Sequence, residues 1–234
     1  MILSRTLKLE GTNMADAGDS DSGFQKILAR AKGIILQPAE EWPQIKAEQG
    51  SCTAILKSYA LPLIAIGPVA SFLGGQIFGY GILGFSFRPG IAGALAATVT
   101  QFVLAVAGVF LLSFIANFLA PRFGGKDDFA QSFRLVAYSM TAAWISAIFG
   151  IIPTLAILGL LGLYSIYIFY AGATTMMNVP AEKAGGYTAA TFVAAFVLFL
   201  VIGAASGAVT RSFAPDPFDN DYALNGSASP AEPG

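Results

Sequence analysis

The chain has 234 residues, 55% of them hydrophobic and only 12% charged, with a mean hydropathy of +0.66, where a soluble domain carries roughly 25% charged residues. The formal net charge of -1 gives nucleic acid nothing to bind globally. With no histidine and a single cysteine, Cys52, imidazole base chemistry, His-ligated haem, the usual Cys/His zinc site and an intrachain disulfide are excluded.

Residues 1–22 are polar and read as a disordered N-terminal tail. The first ten residues lack the apolar stretch of a signal peptide, and Met14-Ala15-Asp16 competes with Met1 as the true start. Residues 23–50 read as a cytoplasmic interfacial segment. In it Phe24, Ile27, Leu28, Ala31, Ile34, Ile35 and Leu36 recur at helical spacing, with Gln25, Lys26, Arg30 and Lys32 between them. Such a helix either lies in the head-group layer, apolar face down and cations outward, or packs on the bundle. A proline-bracketed turn around Trp42 follows, from Pro38 to Pro43. The indole is expected to anchor at head-group level, or else to present a docking surface. Cys52 reads as a small residue near the membrane entry, with palmitoylation as its functional alternative.

From Lys57 onward the charges thin out. No Asp, Glu, Lys or Arg occurs between Lys57 and Arg88, Arg88 and Arg122, Arg134 and Glu182, or Lys183 and Arg211. Crossing a bilayer takes roughly 20 apolar residues, so residues 51–210 are expected to hold five spans, at about 58–79, 91–120, 131–149, 154–177 and 187–209. The fold class is all-α, a polytopic membrane helix bundle. With the N-terminus inside and the C-terminus outside, eleven of the 13 Lys and Arg fall on the cytoplasmic side. Residues 211–234 read as a second disordered tail, and Asn225-Gly226-Ser227 in it is a glycosylation triplet without meaning in a bacterium.

Between the second and third spans lies Gly124-Gly125-Lys126-Asp127-Asp128-Phe129, with Arg134 beyond it. Asp127 or Asp128 would complement the dipole of the following helix. Gly-Gly-Lys lacks the spacing and the strand of a phosphate loop, so nucleotide binding is rejected. The intramembrane polar inventory is Gln76, Gln101, Ser113, Asn117, Tyr138, Ser139, Tyr164, Tyr167 and Tyr170, none of them an acid or strong base. This argues against ion-coupled transport. Gln101, Asn117 and Tyr138 are the candidate intramembrane polar contacts, by default hydrogen-bonding between helices. Gly75 with Gly79, and Gly203 with Gly207, are spaced for close helix packing or oligomerisation.

The Pro38 to Glu48 element, the Gly-Gly-Lys-Asp-Asp-Phe loop leading to Phe133-Arg134-Leu135-Val136-Ala137-Tyr138-Ser139, the Ile152-Pro153 hairpin, the Tyr164 to Tyr170 stretch and Lys183-Ala184 occur in an order that resembles the bacterial branch of the Yip family, named for Ypt/Rab-GTPase-interacting proteins, over about 28–209. The resemblance implies five helices, a cytoplasmic N-terminus and a short tail on the opposite side. Members often carry a proline soon after the Tyr-Ser pair. Here Met140-Thr141-Ala142-Ala143-Trp144 stands instead, so a straighter third span is expected.

The resulting expectation is a non-enzymatic protein of a bacterial inner membrane that organises partners or lipids, with neither cofactor nor metal. Its candidate surface is Lys26, Arg30, Lys32, Trp42, Lys126, Asp127, Asp128 and Arg134. Its partners are the lipid bilayer, membrane proteins or a second copy of itself, and no nucleic acid. A passive transporter or channel for a small or lipid-like solute is the alternative, tested by Gln101→Leu. An enzyme is a distant third, because no acid pair, histidine or activated nucleophile lies where a pocket would form.

Overall fold

A computed structural model describes residues 23–48, 50–82, 85–87 and 90–212. Arg88, the start at Met14, the tail at 1–22 and the part of the second tail beyond Ser212 lie outside the described residues. Arg211 and Ser212, assigned to that tail by sequence, instead complete the last helix, Ala181–Ser212.

Five helices are long and apolar enough to cross a membrane: Cys52–Ile77, Ile91–Phe123, Phe129–Ile151, Pro153–Met177 and Ala181–Val209, here the first to fifth spans. Two shorter helices precede them, α1 (23–36) and α2 (Pro38–Ala47). One feature departs from the all-α pattern among the described residues. The first and second spans are joined by an antiparallel hairpin, β1 (Tyr80–Ile82) with β2 (Phe85–Phe87), Tyr80 opposite Phe87.

Breaks in the spans have local causes. Pro62 has no N–H to offer the Ser58 carbonyl, and the chain widens to a π-turn at Leu56–Ala60 in which the Leu61 N–H reaches back to Leu56 O. The third span, expected to be straighter because it lacks the proline, is nonetheless interrupted. The α-helix stops at Ser139 and resumes at Thr141. Side-chain hydroxyls replace ladder bonds there: Thr141 Oγ1 donates to Tyr138 O at 2.7 Å, and the Ala143 N–H donates to Ser165 Oγ of the fourth span at 3.0 Å. The fourth span begins as a 3₁₀ helix, Pro153–Leu163, and continues as an α-helix, Tyr164–Met177, ended by Asn178 in the left-handed conformation.

Side chains bonded to backbone carbonyls join the spans. Ser132 Oγ donates to Ser113 O at 2.5 Å, linking the third and second spans, and Tyr187 Oη donates to Ala116 O at 3.0 Å, linking the fifth and second. Phe169 stacks near Tyr187 and meets Phe192 edge-on, with centroids 5.4 and 5.6 Å apart. Gly203 has nothing within 4 Å of where a Cβ would stand, so its stretch of the fifth span is open in the single chain.

Candidate functional site

The sequence places polar residues in three separate stretches, and the fold brings them to one end of the bundle. α2 lies along the fourth span. Its Trp42 is completely buried and donates from Nε1 to Ile168 O at 3.1 Å. Gly172 admits the indole: a Cβ there would run into the Trp42 ring and stand 2.7 Å from Leu135 Cδ1. Four residues after Trp42, Lys46 Nζ donates to Thr175 O and, at 2.8 Å, to Asn178 Oδ1 at the end of the same span. The 124–128 loop docks against that end too, with the Lys126 N–H on Met177 O at 2.8 Å. Gly125 fits because it has no side chain, since a Cβ would come within 2.7 Å of Met177 O.

Two expectations are corrected by this packing. Trp42 is neither a head-group anchor nor a docking surface, because the groove beside Gly172 takes the whole ring. Arg134 is not a surface cation either. It is 7% exposed and donates to Glu48 O at 2.7 Å, Gly50 O at 2.6 Å and Ile45 O at 3.4 Å, tying the third span to the end of α2. A guanidinium suits this task because its planar fork carries five donors.

The remaining candidates occupy distinct positions. Asp128 caps the third span, its Oδ1 accepting from the Gln131 N–H at 3.1 Å. Asn117, expected to bond between helices, clamps the loop instead: Nδ2 donates to Asp127 Oδ1 at 2.6 Å, and Oδ1 accepts from the Asp128 N–H at 2.9 Å. Lys26, Lys32 and Lys126 are exposed. Gln101 is half-buried and has no side-chain hydrogen bond to a described residue. α1 packs on the bundle through one face and leaves apolar residues exposed on another. Ala31 and Ile34 are buried against the bundle, while Phe24, Leu28 and Leu36 stand 59%, 51% and 65% exposed.

Arg30 anchors a mixed-charge cluster. It pairs with Glu41 Oε1 at 2.5 Å and with Glu48 Oε1, and its guanidinium lies 5.8 Å from the centre of the Tyr138 ring. Burial, the largest single influence, works to lower the Arg30 pKa. The carboxylates of Glu48 and Glu41 outweigh it, so the pKa stands above its ordinary value and the group stays charged. Tyr138 packs on Tyr59 with centroids 4.8 Å apart, and Tyr59 Oη lies 2.7 Å from Thr141 Oγ1. Arg30, Glu41, Glu48, Tyr59 and Tyr138 line a cavity of about 660 Å³ bounded by α1, α2, the π-turn of the first span and the third span. Sequence reasoning missed Glu41, Glu48, Ser58 and Tyr59. The available signal was the seven-residue separation of Glu41 and Glu48, which returns to one helix face. A second cavity of about 280 Å³, between the second, third and fifth spans, is lined almost wholly by apolar groups, among them Leu112, Met140 and Trp144. No group of three or more His, Cys, Asp or Glu residues positioned for a metal occurs among the described residues.

Five apolar spans with a packed polar collar at one end define a multi-pass helical membrane protein. The model of the Yip1 domain matches residues 32–203, most of the chain, and the chain belongs to the Yip family. No curated protein and no solved structure matches it.

Proposed function

We propose that this Yip-family protein is a non-enzymatic organiser of membrane partners or lipids, seated in a bacterial inner membrane with the N-terminus and the polar collar in the cytoplasm. The reading rests on one observation: α1 and α2, the 124–128 loop and the turn after the fourth span, which hold most of the described charged groups, adjoin one another at the same end. The distribution of Lys and Arg favours that end for the cytoplasm. Because Trp42 and Arg134 are internal, the partner-facing groups reduce to exposed Lys26, Lys32, Lys126 and Asp127, with Phe24, Leu28 and Leu36 beside them.

Deleting the N-terminal segment would destroy this collar, so the test uses single positions. With Cys52 replaced by serine, cysteines are placed at Lys126 and at Gly150, where no neighbour stands within 4 Å of a Cβ position. An impermeant thiol reagent applied to intact cells is expected to label position 150 alone. A photo-crosslinker at Lys32 and at Lys126 is expected to capture a shared set of partners that a crosslinker at Gly150 does not. Labelling of position 126 from outside rejects the orientation, and identical captures from both ends reject the role.

A further inference from the structure

We propose that the 660 Å³ cavity beside α1 is a binding site for the head group of a zwitterionic phospholipid, one carrying both a phosphate and an ammonium. This deepens the reading above and rests on it for the lipid-facing role. The volume falls in the ~300–1,000 Å³ range of small-molecule sites. Four charged side chains line it, Lys26, Arg30, Glu41 and Glu48, and their formal charges cancel. Arg30 is already engaged by both carboxylates. The Lys26 ammonium has no ion pair among the described residues, and Arg30 engages each carboxylate through its Oε1, leaving Oε2 outside those pairs. A phosphate at Lys26 and an ammonium at the free edge of Glu48, which is 47% exposed, keep the site neutral. A head group with net negative charge meets two carboxylates and is disfavoured.

Position points to the membrane as the source. Ser58 in the cavity wall directly follows Lys57, the last charged residue before a long charge-free run, so the cavity lies where the first span enters the bilayer. On α1, Phe24 and Leu28 are exposed within two residues of Lys26 and offer acyl chains an apolar surface beside the cavity.

The test is native mass spectrometry of the full chain taken from nanodiscs containing equal amounts of phosphatidylethanolamine and phosphatidylglycerol. The expected result is preferential retention of phosphatidylethanolamine by about threefold, the scale of one partly solvated ion pair. Glu48→Gln leaves the lining positive and is expected to shift retention toward phosphatidylglycerol. Lys26→Gln, at an exposed position with no ion pair to another described residue, is expected to lower phosphatidylethanolamine retention by a similar factor. Equal retention of the two lipids by the unaltered chain, or an unchanged ratio in both variants, overturns the proposal. Displacement of the lipid by an equal concentration of glycerophosphoethanolamine overturns the membrane source. A preference that emerges only when the chain begins at Gly23 makes residues 1–22 the natural occupant and overturns it as well. Failure here leaves the crosslinking from Lys32 and Lys126 intact, so the two readings are separable.

Discussion

The third and fourth spans each have two halves that differ in packing. Toward the collar, every residue from Ser132 to Ser139 is buried, and Tyr164–Met177 buries Ser165, Ile168, Phe169, Gly172, Ala173, Met176 and Met177. Toward the other end, neither Ala147–Ile151 nor Pro153–Leu163 buries a single residue. Yet Pro153–Leu163 is built only from Pro, Thr, Leu, Ala, Ile and Gly, while the buried stretch contains an arginine, two serines and a tyrosine. The fifth span repeats the pattern, since none of its most apolar 18-residue window is buried. Hydrophobicity in this protein marks the face left to lipid. Buried positions of the collar half mix large apolar side chains such as Phe133, Leu135, Ile168 and Phe169 with small residues and with polar groups that hydrogen-bond between helices.

If the collar half carries the stability, the largest loss follows from Trp42→Ala. Removing a fully buried indole is expected to cost about 3–5 kcal/mol, read as a lower midpoint of detergent-induced unfolding. A midpoint unchanged from the parent would mean that α2 does not pack as described. Next comes Arg134→Met, which preserves bulk but leaves the carbonyls of Glu48 and Gly50 without their donor; about 2–3 kcal/mol is expected. Faster hydrogen exchange at 45–50 should accompany it, and exchange confined to the loop at 124–128 would assign the arginine a different role. The smallest effect belongs to Leu160→Ala at a 59% exposed site in the unburied half. Less than about 0.5 kcal/mol is expected, and a loss as large as that at Trp42 would erase the contrast between the halves.

Much of the architecture was legible in the residues, because the bilayer imposes long charge-free runs on any helix that crosses it. The Ile152-Pro153 break and the capping aspartate were readable for equally local reasons, a missing N–H and a short side-chain acceptor. The candidate surface was less so. Trp42 and Arg134 look like surface residues in isolation, and a tryptophan or arginine near a span end is more often at the interface than inside. What hides them lies far away in sequence: Gly172 for the indole, and the carbonyls at the end of α2 for the guanidinium. The interrupted third span is a related case, since Ser165 and Thr141 supply through their hydroxyls the ladder defect that a proline would have caused.

By itself, then, the sequence determined the number and approximate limits of the spans, the family, and the separation of polar from apolar segments, all of which follow from local composition measured against the thickness of a membrane. Tertiary structure alone decided which polar residues are internal, which remain available, and that Arg30, Glu41, Glu48 and Tyr138 line one open cavity. Those outcomes depend on contacts across as many as 132 positions, as between Lys46 and Asn178, and no local pattern encodes which distant backbone carbonyl or glycine a side chain will meet.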